Sequence, residues 1–115
     1  MGLDTYAART PQEEELSEED SRAFAGIALC GGMHSGSEGS FRGKVYDSLV
    51  EGVTGVSLYQ EWIAPEVVRE MAAALEACDP EQVAVEFDRS PVECEHLRRF
   101  FQICGERGLG LIGWW

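Results

Sequence analysis

The residues best suited to chemistry lie in one run, Gly31-Gly32-Met33-His34-Ser35-Gly36-Ser37-Glu38-Gly39-Ser40, with Arg42 and Lys44 just beyond it. Four glycines and three serines mark it as a loop. A helical pattern begins at Phe41, so the loop leads into a helix N-terminus, where free N–H groups and the helix dipole favour negative charge. A phosphate or carboxylate could be held there by His34, Ser37, Ser40, Arg42 and Lys44. Arg42 and Lys44 diverge by roughly 200° on a regular helix, so one of the two would face the ligand. The spacing matches neither G-x-x-x-x-G-K-[ST] nor G-x-G-x-x-G after a strand. Glu38 places a carboxylate inside the loop and opposes an anion. The competing reading is a connector whose glycines satisfy turn geometry.

Other chemistry is weaker. A serine nucleophile needs a base and an orienting acid within reach, and Gly36-Ser37-Glu38-Gly39 does not match G-x-S-x-G. His34 beside an acid is the best general base in the chain. Cys30, His34 and one of Cys94 or His96 could approach a metal. However, Cys94 and His96 lie about 200° apart on a helix, and no cysteine pair has the C-x-x-C spacing of zinc or redox sites. No catalytic residue, metal or cofactor is therefore expected. Cys30, Cys78, Cys94 and Cys104 read as reduced thiols.

The elements that would position these residues follow from pattern. Gly2 to Ala7 alternates, with Leu3, Thr5 and Ala7 on one face and Asp4 and Tyr6 on the other, which predicts a first strand. Residues 10–20 are acidic and solvated, and Ser17 caps a short helix docked by Phe24 and Ile27. Ile27 to Cys30 reads as a brief strand. Phe41, Val45, Leu49 and Val53 recur every four residues and predict a helix over 41–53, capped by Ser40 and weakened by Gly43 and Gly52. Ser57 and Gln60 fit a capping box for a helical turn through Trp62. Pro65 opens a helix with Val68, Met71, Leu75 and Cys78 inward, ending at Asp79-Pro80. Val83, Val85 and Phe87 alternate, so Gln82 to Phe87 reads as a strand, although Pro80-Glu81 could open another helical turn. Ser90-Pro91-Val92-Glu93 starts the last helix, with Leu97, Phe100, Phe101 and Cys104 buried and Gly108 at its end. Leu109 to Trp115 is the final strand.

The fold class is α+β in a single domain spanning residues 1–115. A small antiparallel or mixed sheet, with its N- and C-terminal strands adjacent, is covered by about three helices. The expected core is Leu3, Ile27, Val45, Leu49, Val68, Met71, Leu75, Val85, Leu97, Phe100, Phe101, Leu109 and Ile112.

Twenty-one acids against nine bases give a net charge of -12, and residues 1–20 carry half of it through seven acids and one base. Such a surface repels phosphate backbones and anionic membranes. It leaves a basic protein partner compatible. No apolar run has signal-peptide or spanning length, so a cytoplasmic location is expected. Trp62, Trp114 and Trp115 join Tyr6, Tyr46 and Tyr59 as large rings. Most would serve core or cross-strand contacts, but an exposed terminal tryptophan pair would be an interaction anchor.

The opening Met1-Gly2-Leu3-Asp4-Thr5-Tyr6 resembles the start of small uncharacterised phage and bacterial proteins that begin MGLD-x-Y. Members of that group often finish on a strand ending in Trp, as here at Trp115. The resemblance implies no activity and no catalytic residues. Two function classes therefore compete. One is a non-enzymatic protein-binding module of inhibitor, immunity or anti-defence type. The other is a binder of a small anion or nucleotide, or a small enzyme, built on the loop at 31–44. A concave pocket under that loop would favour the second, and a flat acidic or aromatic patch the first.

Overall fold

Strands from opposite ends of the sequence form the centre of the molecule, a computed structural model that describes residues 3–12, 16–30 and 39–115. Strand β1 (Asp4–Ala8) pairs antiparallel with β4 (Gly110–Trp114), from Asp4 opposite Trp114 to Ala8 opposite Gly110. Two-residue strands flank them: β2 (Ser40–Phe41) beside β1, and β3 (Trp62–Ile63) beside β4. The sheet order is β2-β1-β4-β3, antiparallel throughout. Five helices complete the described residues: α1 (Glu18–Arg22), α2 (Gly43–Thr54), α3 (Pro65–Glu76), α4 (Pro80–Phe87) and α5 (Pro91–Arg107). The α+β class and the adjacent terminal strands stand as expected, and the expected three helices become three long ones plus the short α1 and α4.

The core forms where one sheet face meets the helices. Leu3, Ala7, Phe41, Ile63 and Leu111 join Leu49, Val68, Met71, Leu97, Phe100 and Phe101 in one buried cluster. Phe100 of α5 is its hub, with ring centroids 4.7 Å from Phe24 and 4.9 Å from Phe41, the latter edge-on. Each such side chain contributes about 1.5–3 kcal/mol through burial. Ala8 and Ile112 are also buried but lie outside this cluster. By strand alternation they belong to the opposite sheet face.

Several local expectations are corrected. Gln82 to Phe87 is not a strand: it lies in α4, which Asp79 caps by accepting from the Glu81 N–H at 3.0 Å, with Pro80 at its first turn. Val83 and Phe87 are four apart and share a helical face, so spacing that reads as the period of two of a strand belongs to a helical repeat near four. Val85 consequently points outward, 85% exposed rather than in the core. Ile27 to Cys30 is irregular backbone, although Ile27 and Leu29 are buried. Ser40 belongs to β2 and does not cap α2, whose N-cap is Arg42 with no side-chain cap bond. Ser57 starts a turn and no helix. Its hydroxyl accepts from the Tyr59 N–H and donates to Asp47 Oδ1, and Asp47 also holds the Leu58 N–H at 2.7 Å. Asp47 thereby pulls the segment toward α2, and Trp62 continues into β3. Val45 is half-buried, because Tyr46 and Val50 share the inner face of α2 with Leu49.

Two caps stand as expected. Ser17 Oγ accepts from the Asp20 N–H at 3.2 Å, and Ser90 Oγ from the Glu93 N–H at 3.1 Å. Asp20 is itself buried and doubly paired. Arg9 donates to it through two nitrogens at 2.8 and 2.9 Å, and Arg107 Nε at 2.9 Å. Burial alone would raise the Asp20 carboxyl, but the hydrogen bonds from Arg9 and Arg107 outweigh it and hold it below its usual value. This triad ties α1 to the end of β1 and to the last turn of α5.

Candidate protein interface

His34 and Ser37 of the expected anion site lie outside the described residues. The other three have partners within the chain. Ser40 is buried in β2 opposite Tyr6. Arg42 Nη1 pairs with Asp4 Oδ1 at 3.2 Å, and its N–H donates to the Cys30 carbonyl at 2.7 Å. The Lys44 side chain is exposed, but its N–H donates to the Leu3 carbonyl at 3.1 Å. The Val45 N–H is turned back to Arg42 O. Two of the first three N–H groups of α2 are thus already engaged.

A second polar knot lies nearby. The buried Tyr46 hydroxyl accepts from the Cys30 N–H at 3.0 Å and donates to Glu93 Oε2 at 2.9 Å. Arg89 lies over the Tyr46 ring, 5.6 Å from its centroid, and donates to the Val45 carbonyl. Burial first, and the Glu93 carboxylate second, push the Tyr46 hydroxyl up to about 12, against the opposing Cys30 N–H. Every polar atom of this knot that the contacts name already has a partner, so its role is to fasten residue 30 and α2 to the start of α5.

His34 of the metal set that sequence weighed lies outside the described residues, and among the described residues no group of three or more His, Cys, Asp or Glu is gathered. Cys94 is buried, Cys30 is exposed, and His96 Nδ1 accepts from the Ala28 N–H at 3.1 Å. All four cysteines are free thiols. A cleft of about 340 Å³ opens between the turn after α1 and the outer side of α5, lined by Ile27, Glu95, His96, Arg99 and Ile103 among others. Its opposed charges and open shape offer no convergent set of donors.

The second sheet face is a different matter. Pairing register places its side chains in rows across the strands. One row is Asp4 and Trp114. The next is Ser40, Tyr6, Ile112 and Trp62, and a third is Ala8 and Gly110. Trp62 reaches diagonally over Gly110: a β-carbon there would meet the indole at 2.5 Å, so glycine is what allows the ring to lie against the backbone. Tyr6 and Trp62 are half-buried, and Trp114 is 64% exposed. At the same end of β4, Trp115 and Tyr59 meet edge-on with centroids 5.7 Å apart, both exposed. Arg42 reaches this face through its pair with Asp4. On this face Trp114 is the exposed ring, Tyr6 and Trp62 are half-buried, and Ser40, Ala8 and Ile112 are buried.

Sequence reasoning placed the functional weight on the loop and named the tryptophan pair only as a contingency. It missed the assembly of Asp4, Tyr6, Ile112 and Trp114 into one face. The alternation in the first and last strands carried that signal, but only the β1–β4 register unites the two halves. No family model, curated protein or solved structure matches this chain. Among the described residues, no helix is long and apolar enough to cross a membrane.

Proposed function

We propose that this protein is a non-enzymatic protein-binding module, of inhibitor, immunity or anti-defence type, that acts on a basic partner in the cytoplasm. The observation that carries this reading is the group of solvent-facing rings at the end of β4, with Trp114 and Trp115 64% and 53% exposed and Tyr59 43%. Large exposed rings are costly to keep in water, and Trp and Tyr dominate the energetically important positions of interfaces. Trp114 sits at the end of β4 and has little ordering left to lose on binding. The charge of -12 supports a cationic partner and opposes nucleic acid. The Arg42–Asp4 pair and the occupied N–H groups of α2 weigh against the small-anion reading.

Co-purification from the native source tests the proposal. The expected result is a basic protein whose association slows as salt rises. Tight, salt-sensitive binding to duplex DNA would overturn it. The small-ligand reading is tested by thermal melts with phosphate, nucleotides and small carboxylates. The melting temperature should be indifferent to all of them, whereas an increase lost in Arg42→Ala would favour that reading.

A further inference from the structure

We propose that His96 is a proton-operated latch: neutral, it holds residues 25–28 against α5, and protonated it lets them go and opens the cleft beside them. The Ala28 N–H donates to His96 Nδ1 at 3.1 Å, a bond between residues 68 apart in the chain. A ring nitrogen accepts only while it carries no proton, so the bond requires the neutral ring with its proton on Nε2. Protonation turns both nitrogens into donors, and the Ala28 N–H then faces a second donor. The latch is therefore closed at alkaline pH and released as pH falls through the imidazole range, between about pH 8 and pH 5. The ring is half-buried and lines an open cleft, where water can deliver the proton.

The surrounding contacts confine the response to a short strap. At one end Phe24 is fully buried, with its ring centroid 4.7 Å from that of Phe100. At the other, Cys30 is fastened at both backbone groups. Its N–H donates to the Tyr46 hydroxyl at 3.0 Å, and its carbonyl accepts from the Arg42 N–H at 2.7 Å. Between these anchors the Ala25 and Ile27 N–H groups bond only within the turn after α1, to the Arg22 and Phe24 carbonyls. Among the described residues, the Ala28 bond is the one hydrogen bond that ties 25–28 to α5. Gly26, at a φ of +87° with open space where a β-carbon would stand, gives the strap its hinge. Ile27 on the strap and Ile103 on α5 line the two sides of the cleft, so their separation records whether the latch is closed.

The charges around the ring permit the release. From α5, Glu95 and Arg99 line the same cleft, and Arg99 is paired with Glu106 at 3.5 Å. The turn after α1 lines it with Ala23, Ala25, Gly26 and Ile27 and adds no charged group. Glu95 is thus the carboxylate at hand for the imidazolium, and no cation of the strap opposes it.

The test follows the whole chain by NMR from about pH 8 to about pH 5. At the alkaline end the ring nitrogen shifts should report a bare Nδ1 and a protonated Nε2, and a proton on Nδ1 would overturn the proposal. As the ring titrates, exchange protection of the Ala28 amide, corrected for its intrinsic rate, should fall roughly fivefold. The Ile27 and Ile103 methyl shifts should move with the same midpoint, and the Cys30 amide should keep its protection. His96→Gln does not titrate and should abolish these responses, with a melting curve to establish that the variant is folded. If it is not, the ring and amide titrations of the parent still decide. Ala28 protection that stays constant while the ring titrates would overturn the latch, as would a pH response that persists in folded His96→Gln. Loss of protection spreading to Cys30 would overturn the confinement to 25–28.

Discussion

Gly43 illustrates how a residue's local preference and its surroundings can point in opposite directions. Replacing a helical glycine by alanine normally gains about 1 kcal/mol of helix stability. At Gly43, however, a β-carbon would come within 2.2 Å of Thr5 Oγ1 and 2.8 Å of Leu3 Cδ2, both buried, at and just before the start of β1. Overpacking of that kind costs about 1–3 kcal/mol. Gly43→Ala should therefore lower the urea midpoint, and a raised midpoint would show that β1 can shift to accommodate the methyl. Ser90 is the opposite case, where local chemistry and structure agree. Ser90→Ala removes the bond to the Glu93 N–H and should cost about 1 kcal/mol in the same assay. The thiols divide by environment. Burial pushes Cys94 and Cys104 up, and Cys30 is exposed. A disulfide-forming reagent should modify Cys30 first in the native protein and reach Cys94 and Cys104 only on unfolding. Equal rates for all four would contradict these placements.

Among the elements, α1 depends most on charge. Its Asp20 carboxylate is held by Arg9 and Arg107, and its native value lies below its unfolded one. Stability from this triad is thus complete above the unfolded carboxylate value near 3.9 and is lost as pH falls through the lower native value. Asp20→Asn should cost about 2 kcal/mol at neutral pH and flatten the acid limb of the stability profile. An unchanged acid limb would assign that limb to other carboxylates. The helices that sequence located well, α3 and α5, carry their own start signals in Pro65 and in Ser90-Pro91, so local chemistry was sufficient. The misread elements depended on distant partners. Ser40 and Trp62 became strands because β1 and β4 lay beside them. Residues 82–87 are ambiguous for another reason: three apolar residues at alternate positions fit a strand, and it is the Asp79-Pro80 start that decides for helix. The candidate face was illegible for the first reason, since Asp4 and Trp114 are neighbours only through the sheet.

For the whole molecule, the same pairing governs the order of assembly. Joining β1 to β4 closes a loop of roughly a hundred residues, and closure on that scale costs about 4 kcal/mol of chain entropy before contacts repay it. The interactions among α3, α4 and α5 span far shorter separations and need not wait. The helices should therefore condense first and bring the two central strands into range, with the sheet zipping late. Kinetics should record this as an asymmetry. Ile112→Val, in β4, should mainly accelerate unfolding, whereas Leu97→Ala, at the centre of α5, should mainly slow folding. The reverse pattern would mean that the ends of the chain meet early. With late zipping, a nascent chain on the ribosome would expose β1 without its long partner until residues 110–114 emerge. Until then the β1–β4 face could not form, and a chain still lacking β4 could capture no partner through it.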